Sequence, residues 1–281
     1  MTVEVVKESP AKLNLVLEIL GRRDDGYHEI ASLMQRISLF DEMTFKLVDE
    51  GIAIHCPESS LPEDEDNIVY RAAQMLLATG SYNVGVEIVI RKRIPLAAGL
   101  GGGSSNAATT LITLNEMIGS GFDTGDLMKM GAELGADVPF FVFGKTAWAF
   151  GIGERLQAAK NIPPMWFVLV NPGVELSTKV VYENVKIELT NGVIKYNIPR
   201  LQTVSQVVCG LRNDLERVSE EICPVISEIK ERLMVHGALG SLMSGSGPTV
   251  FGIFEAEEDA RIAENRLKQE HLGLVYRASS M

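Results

Sequence analysis

Apolar residues alternate or cluster, with β-branched enrichment, at residues 3–6, 13–20, 43–48, 52–55 and 84–90, and each run predicts a strand. Helical spacing appears between them. It covers residues 67–78 and 104–118, the second opening on small residues and closing before Gly119 and Gly121. A third helix is expected over residues 124–134, stopped by Gly135. After Gly153 the pattern restarts with a buried strand at 166–170 and polar, helical stretches as far as His236. Strands at 238–242 and 249–254, a helix at 257–269 and a strand at 272–277 follow. That order is β-α-β-β-α-β, the split βαβ arrangement. The chain lacks the regular alternation of a doubly wound sheet, so the expected class is α+β in two domains, 1–155 and 156–281. The sequence shows no internal repeat and no low-complexity segment.

Composition narrows what such a fold can do. The 281 residues are 46% hydrophobic and 22% charged, enough apolar material for one large or two modest cores. The formal net charge of −11 argues against general binding to nucleic acid or an anionic membrane, both of which draw on surplus Lys and Arg. An anionic ligand would have to be held locally, by backbone amides and a few placed cations. Cys56, Cys209 and Cys223 are odd in number and lack C-x-x-C spacing, which suggests neither a disulfide framework nor a structural zinc. The first residues do not have the charged-then-apolar order of a signal peptide, and apolar stretches such as 165–170 fall far short of a membrane span. The expectation is a soluble protein of a reducing cytoplasm.

The densest chemistry lies in residues 99–105, where Gly99, Gly101, Gly102, Gly103, Ser104 and Ser105 stand between an expected strand and an expected helix. A flexible turn that caps a helix needs fewer glycines. Without Cβ atoms, successive N–H groups can turn inward around phosphate oxygens, and the helix N-terminus adds its dipole. The serine hydroxyls can add hydrogen bonds or a metal ligand. A Walker loop would end in Gly-Lys-Ser or Gly-Lys-Thr, and no lysine stands there. A Rossmann turn would lead to a further parallel strand with an acidic residue, whereas a second helix is expected after Gly119.

Other candidates are open to two readings each. Lys12 and Asn14 share one face of an otherwise apolar strand, either a solvated edge or an ammonium and an amide facing a ligand. Asp137 follows a helix-ending glycine and precedes an apolar run, as a turn residue or a carboxylate for proton handling. Tyr27 and His28 close a turn-like run, as an exposed loop pair or as a device for stacking on and reading a base. The second glycine loop, Ser244-Gly245-Ser246-Gly247-Pro248-Thr249, joins two expected strands as an ordinary hairpin or as amides closing over a substrate. His55, His236 and His271 have no metal-ligand spacing.

Taken together, the segments 9–15, 25–28, 99–108, 135–139 and 243–249 resemble the GHMP kinase family, whose three motifs occur in the same order here. They are most similar to its branch acting on a cytidine diphosphate-linked methylerythritol. The resemblance implies a ribosomal protein S5 domain 2-like N-terminal domain, a ferredoxin-like C-terminal domain, and phosphoryl transfer from ATP with Mg²⁺ to a small-molecule alcohol. It implies Asp137 as the catalytic base and Lys12 as the cation on the hydroxyl and the transferring phosphoryl. Pro95, Gly99, Leu100, Gly101, Gly102, Gly103, Ser104 and Ser105 would hold ATP. On the substrate side it implies Asn14 at the alcohol, Tyr27 stacking on and His28 bonding to cytosine, and Tyr182 as a second aromatic. Thr178, with Gly245, Ser246 and Gly247, would complete that side. It further implies a monomer or homodimer. Leu96, Ala97 and Ala98 depart from the family's further glycines, and Asn106 stands where aspartate is common. Homoserine- or mevalonate-type kinases and a non-catalytic nucleotide-binding protein are the competing readings; a cytosine reader separates the first, and retained Lys12 and Asp137 the second.

Overall fold

The computed structural model describes residues 4–57, 59–80, 82–185 and 196–281. The chain opens on two long strands, β1 (Glu4–Arg22) and β2 (His28–Val48), followed by β3 (Ile52–His55), α1 (Ile68–Ala78) and β4 (Gly85–Arg91). Three helices come next: α2 (Gly102–Ile118), α3 (Thr124–Leu134) and α4 (Val138–Phe143). After β5 (Ala147–Gly151), β6 (Arg155–Ala158) and β7 (Trp166–Asn171) the chain forms α5 (Thr178–Asn184), α6 (Val204–Cys209), β8 (Arg212–Asn213), α7 (Glu216–Ile222) and α8 (Val225–Val235). It ends with β9 (Gly240–Met243), β10 (Val250–Phe254), α9 (Glu257–Lys268) and β11 (Leu274–Ser279).

Packing separates two compact units, each assembled from several chain segments. The first comprises Met1–Ala11, Phe40–Ile94 and Gly101–Gly144. In it β3 pairs in parallel with β4, and β4 pairs antiparallel with the second half of β2, Glu42 opposite Arg91. Side chains define the ends of its helices. Asn67 Oδ1 accepts from Val69 N at 2.9 Å to start α1, and Asp123 Oδ1 accepts from Asp126 N at 2.9 Å to start α3. Gly119, at φ 64°, ends α2 in the left-handed conformation that a side chain would disfavour. Phe45, Ile88, Leu111, Leu114 and Phe140 are among its buried core residues.

The second unit comprises Lys12–Leu39, Pro95–Leu100 and Lys145–Met281. Its antiparallel sheet has the order β11-β7-β10-β9, with Val250 opposite both Val170 and Met243. With helices between β7 and β9 and α9 between β10 and β11, this is the expected ferredoxin-like arrangement. Ile226, Ile229 and Leu233 of α8 and Ala260, Ala263 and Leu267 of α9 bury against Val168, Val170 and Phe254 of the sheet. The first half of β2 pairs antiparallel with β5, and β1 pairs in parallel with the two-residue β8, Leu17 opposite Asn213.

Several expectations are corrected by these elements. The runs at 3–6 and 13–20 belong to one strand, β1, with Val3 outside the described residues. The strand expected at 43–48 begins at His28, because Ser32 and Gln35 are buried polar residues that interrupt its apolar pattern. The apolar run after Asp137 is the short helix α4, opened by Pro139 and closed by Gly144 at φ 71°. The compact units interleave along the chain: the first is drawn from three segments before residue 145, the second from two segments before it and from Lys145–Met281. Among the described residues no helix is long and apolar enough to cross a membrane.

Candidate active site

The glycine loop leaves β4 and enters α2, with residues 95–100 packing in the second unit and Gly101 onward in the first. Gly99 and Gly101 adopt φ 73° and 70°, and a Cβ on Gly99 would lie 2.0 Å from Ser244 O. Only glycine fits there. Gly101 provides no side-chain cap to the 17-residue helix that follows, which leaves the amides of its first turn and the positive end of its dipole for an anion. Gly103 is exposed, and a Cβ there would find a single neighbour, Ile68 Cγ2 at 3.9 Å. Ser105 does not join that surface. It is fully buried, its hydroxyl accepts from Ser9 Oγ at 2.8 Å, and its amide donates to Gly101 O at 2.9 Å. Ser104 is half-buried in the same turn, and a Cβ on Gly135 would come 3.9 Å from Ser104 Oγ. The turn that delivers Asp137 therefore lies against the start of α2. Asp137 itself is half-buried at the N-cap of α4.

Lys12 and Asn14 are 4% and 1% exposed, which rules out the solvated edge. Lys12 Nζ donates to Asn14 Oδ1, and Asn14 Nδ2 donates to Ser32 Oγ at 2.8 Å. Ser32 Oγ donates onward to Val16 O at 2.7 Å. This chain fixes which end of the Asn14 amide meets the ammonium. Lys12 N also donates to Leu100 O at 2.9 Å, tying the strand to the glycine loop. Pro95 is half-buried at the beginning of the same segment.

The second glycine loop is the hairpin between β9 and β10, and it packs on the first. Ser244 Oγ donates to Gly99 O at 3.0 Å and accepts from Asn14 N at 3.3 Å. A Cβ on Gly245 would lie 3.1 Å from Gly99 O and 3.4 Å from Asn14 Oδ1, while one on Gly247 would meet Met243 Sδ at 2.4 Å. The Ser246 and Thr178 hydroxyls lie 2.8 Å apart, joining this loop to α5.

Tyr27 is 60% exposed, whereas the ring beside His28 is that of Tyr182, with centroids 5.3 Å apart and planes inclined by 30°. Burial pushes the His28 pKa down, and the Arg22 charge adds to the shift. A neutral imidazole carries one N–H and one lone pair. Beside an aromatic ring, it is equipped to read a polar base edge.

A family model described as GHMP kinases N terminal domain matches residues 67–145, and one described as GHMP kinases C terminal matches residues 198–273. The 4-diphosphocytidyl-2-C-methyl-D-erythritol kinase of Syntrophus aciditrophicus is 55% identical over 259 residues, 92% of this chain and 93% of the relative. That of Geobacter metallireducens is 52% identical over 256 residues, 90% of each chain. The chain belongs to the GHMP kinase family. A crystal structure of 4-(cytidine 5'-diphospho)-2C-methyl-D-erythritol kinase superposes on this GHMP kinase with a TM-score of 0.84 at 34% identity, covering 98% of this chain and 99% of that one. Homoserine kinase from Cytophaga hutchinsonii shares the fold at TM-score 0.72 and 21% identity, over 99% of this chain and 94% of its own.

Sequence reasoning placed the GHMP kinase's loops but not the residues that brace them. Ser32 and Asn213 were not singled out, and Ser244 was named only as part of the second glycine loop. Ser32 is a buried polar residue within an apolar strand, a signal readable from the sequence once β2 is known to start at His28. The bond from Ser244 to Gly99, 145 residues away, leaves no local trace.

Proposed function

We propose that this GHMP kinase transfers the γ-phosphoryl of ATP to the 2-hydroxyl of 4-diphosphocytidyl-2-C-methyl-D-erythritol, giving the 2-phosphate and ADP in non-mevalonate isoprenoid precursor synthesis. The observation that carries the reading is its 55% identity, across nine-tenths of both chains, to a relative bearing that name. The half-buried His28 beside Tyr182, its pKa lowered by burial, supports it, because homoserine and mevalonate have no base to read.

The amides at the start of α2 receive the phosphates, where backbone donors and the helix dipole compensate for the chain's net negative charge. Lys12, aimed by Asn14, draws on the acceptor hydroxyl and neutralises charge on the phosphoryl in transit. Asp137, on the turn against Ser104, takes the hydroxyl proton. Tyr27 and Tyr182 flank the cytosine that His28 reads, and Thr178, Gly245, Ser246 and Gly247 close on the remainder of the substrate. Oxygen donors suit Mg²⁺: with Ser105 turned inward, Ser104 is the loop hydroxyl that would hold it, and the ion would neutralise charge on the phosphate oxygens.

The division at residue 155 into an ATP-binding part and a substrate part is supported by the two family-model matches, which fall on either side of it. Three free cysteines, Cys56 and Cys223 buried and Cys209 exposed, suit a reducing cytoplasm.

The test is ADP release with Mg-ATP and, in parallel, diphosphocytidyl-methylerythritol, homoserine and mevalonate. Turnover with the cytidyl compound alone is expected. Turnover with another alcohol instead would keep the kinase and discard the cytosine reader, and silence with all three would overturn the enzyme.

A further inference from the structure

Asn213 is 7% exposed and occupies a junction that the reaction described above does not use directly. Its Nδ2 donates to Met243 O and to Gly245 O, both at 2.8 Å, and its Oδ1 accepts from Leu215 N at 3.0 Å. The two carbonyls it holds stand on either side of Ser244. Both hydrogens of one amide group thus hold the backbone on the two sides of that residue.

The other end of the brace is equally fixed. Asn213 pairs with Leu17 of β1, and Asp214 beside it donates its amide to Leu17 O and accepts from Ile19 N, both at 2.9 Å. The same strand carries Lys12 and Asn14. A closed ring results: β1 holds Asn213, Asn213 holds the second glycine loop, and Ser244 of that loop returns to Asn14 and to Gly99. Ser244 N donates to Thr249 O and Ser244 O accepts from Gly247 N, both at 2.9 Å, within the hairpin itself, and Met243 N to Glu216 Oε1 at 2.8 Å and Ser219 Oγ to Ser246 O at 3.2 Å steady its flanks. None of these acts on the Met243 and Gly245 carbonyls, which Asn213 holds from outside the hairpin.

We propose that Asn213 is a positioning residue for phosphoryl transfer, fixing Ser244 so that one hydroxyl sets both the glycine loop at Gly99 and the amide of Asn14, which aims Lys12. The inference rests on the proposed reaction for its kinetic consequences. Aspartate at 213 keeps the shape and the acceptor for Leu215 N but removes both donors and sets a carboxylate against two carbonyl oxygens. Misplacement of this kind, well under a residue's width, falls on the transition state more than on substrate affinity.

The experiment compares Asn213→Asp, Ser244→Ala and the double variant in the full chain, at a temperature where circular dichroism shows each folded. Each single change is expected to lower kcat about tenfold or more, with KM for the cytidyl substrate within about threefold of the parent. The double variant is expected to be no slower than the slower single, because both act through one hydroxyl. Parental kcat in Asn213→Asp, or losses that multiply in the double variant, would overturn the proposal. Should Asn213→Asp fail to fold, Asn213→Ser, whose single hydroxyl cannot serve both carbonyls, carries the same expectations. Should the parent be silent with the cytidyl compound, the reaction fails but the brace is still read by hydrogen exchange. Both single variants are expected to speed exchange across residues 97–101, and unchanged exchange there would overturn the brace.

Discussion

Asn106 donates from Nδ2 to Asp41 Oδ2 at 3.0 Å inside the first unit, so helix α2 is fastened to strand β2 directly behind the glycine loop. Asp41 is fully buried and has no lone pair to spare. Its Oδ1 accepts from Arg93 N at 2.8 Å and Ile94 N at 2.9 Å, and its Oδ2 also receives the Lys92 ammonium. Asn106 in turn accepts from Lys92 Nζ at 3.1 Å and donates to Ser9 Oγ at 2.9 Å. A Cβ on Gly102 would lie 3.2 Å from Lys92 Nζ, which places the cation beside the first turn of α2. An aspartate at 106 would set a second carboxylate against Asp41 in place of this donor.

Asp41→Asn should therefore destabilise the fold by about 3–5 kcal/mol, the usual cost of leaving a buried charge without its partner. The Lys92 side chain is only 8% exposed, so solvent cannot replace the lost carboxylate. Urea denaturation of parent and variant at pH 7 measures the difference. A loss below about 1 kcal/mol would mean that the network is not what holds the loop's base.

Ala97 adopts φ 48°, a left-handed conformation that costs an alanine about 1–2 kcal/mol. A glycine there would meet no such cost. Ala97→Gly should relieve the strain while gaining about 0.4–1 kcal/mol of unfolded-state entropy, for a net stabilisation of about 0.5–1 kcal/mol. A urea midpoint that falls in the variant would show that the backbone at 97 is not strained.

Residues with local signals were readable from sequence. The helix expected at 67–78 is Ile68–Ala78 and that at 124–134 is Thr124–Leu134, because Asn67, Asp123 and the closing glycines mark their ends by neighbouring hydrogen bonds. The strand expected at 52–55 is Ile52–His55. Where polar groups were buried the pattern failed, as at Ser32 and Gln35 of β2, whose faces are both covered. The site divides the same way. Glycines at 99 and 101 announce their positive φ, but whether a serine faces a ligand depends on Ser9, 96 residues before Ser105 in the chain. Strands β5 and β6 were missed because each is short, five and four residues, and they are joined by a turn that carries Gly151 and Gly153.

The depressed pKa of His28 sets a direction for pH dependence. Burial disfavours the imidazolium, and the nearby Arg22 charge disfavours it further. Between the folded and unfolded pKa values the unfolded chain binds the extra proton, so this group costs stability as pH falls below its ordinary value of about 6.5. Above that, the neutral ring persists. The kcat/KM for the cytidyl substrate should be level from pH 7 upward and fall only on the acid side, through KM for that substrate and not for ATP. An NMR titration of the His28 ring should give a midpoint below about 6.5 that rises in Arg22→Gln. A midpoint at or above the ordinary value would remove the basis for a neutral base reader.

Asp137→Asn isolates proton transfer from shape. The carboxamide occupies the same volume at the N-cap of α4, so the turn at Gly135 should keep its place against Ser104 and the start of α2. What is lost is the capacity to accept the hydroxyl proton. General-base catalysis contributes about 10²–10⁴-fold, and kcat should fall within that range. The ATP dissociation constant should stay within about threefold, since on the proposed reading the phosphates are received by backbone amides that the substitution does not touch. Steady-state turnover and equilibrium ATP titration on one preparation separate the two effects. A kcat reduced less than about tenfold would move the base elsewhere, and ATP binding that weakens in parallel with turnover would make Asp137 a residue of the phosphate site instead.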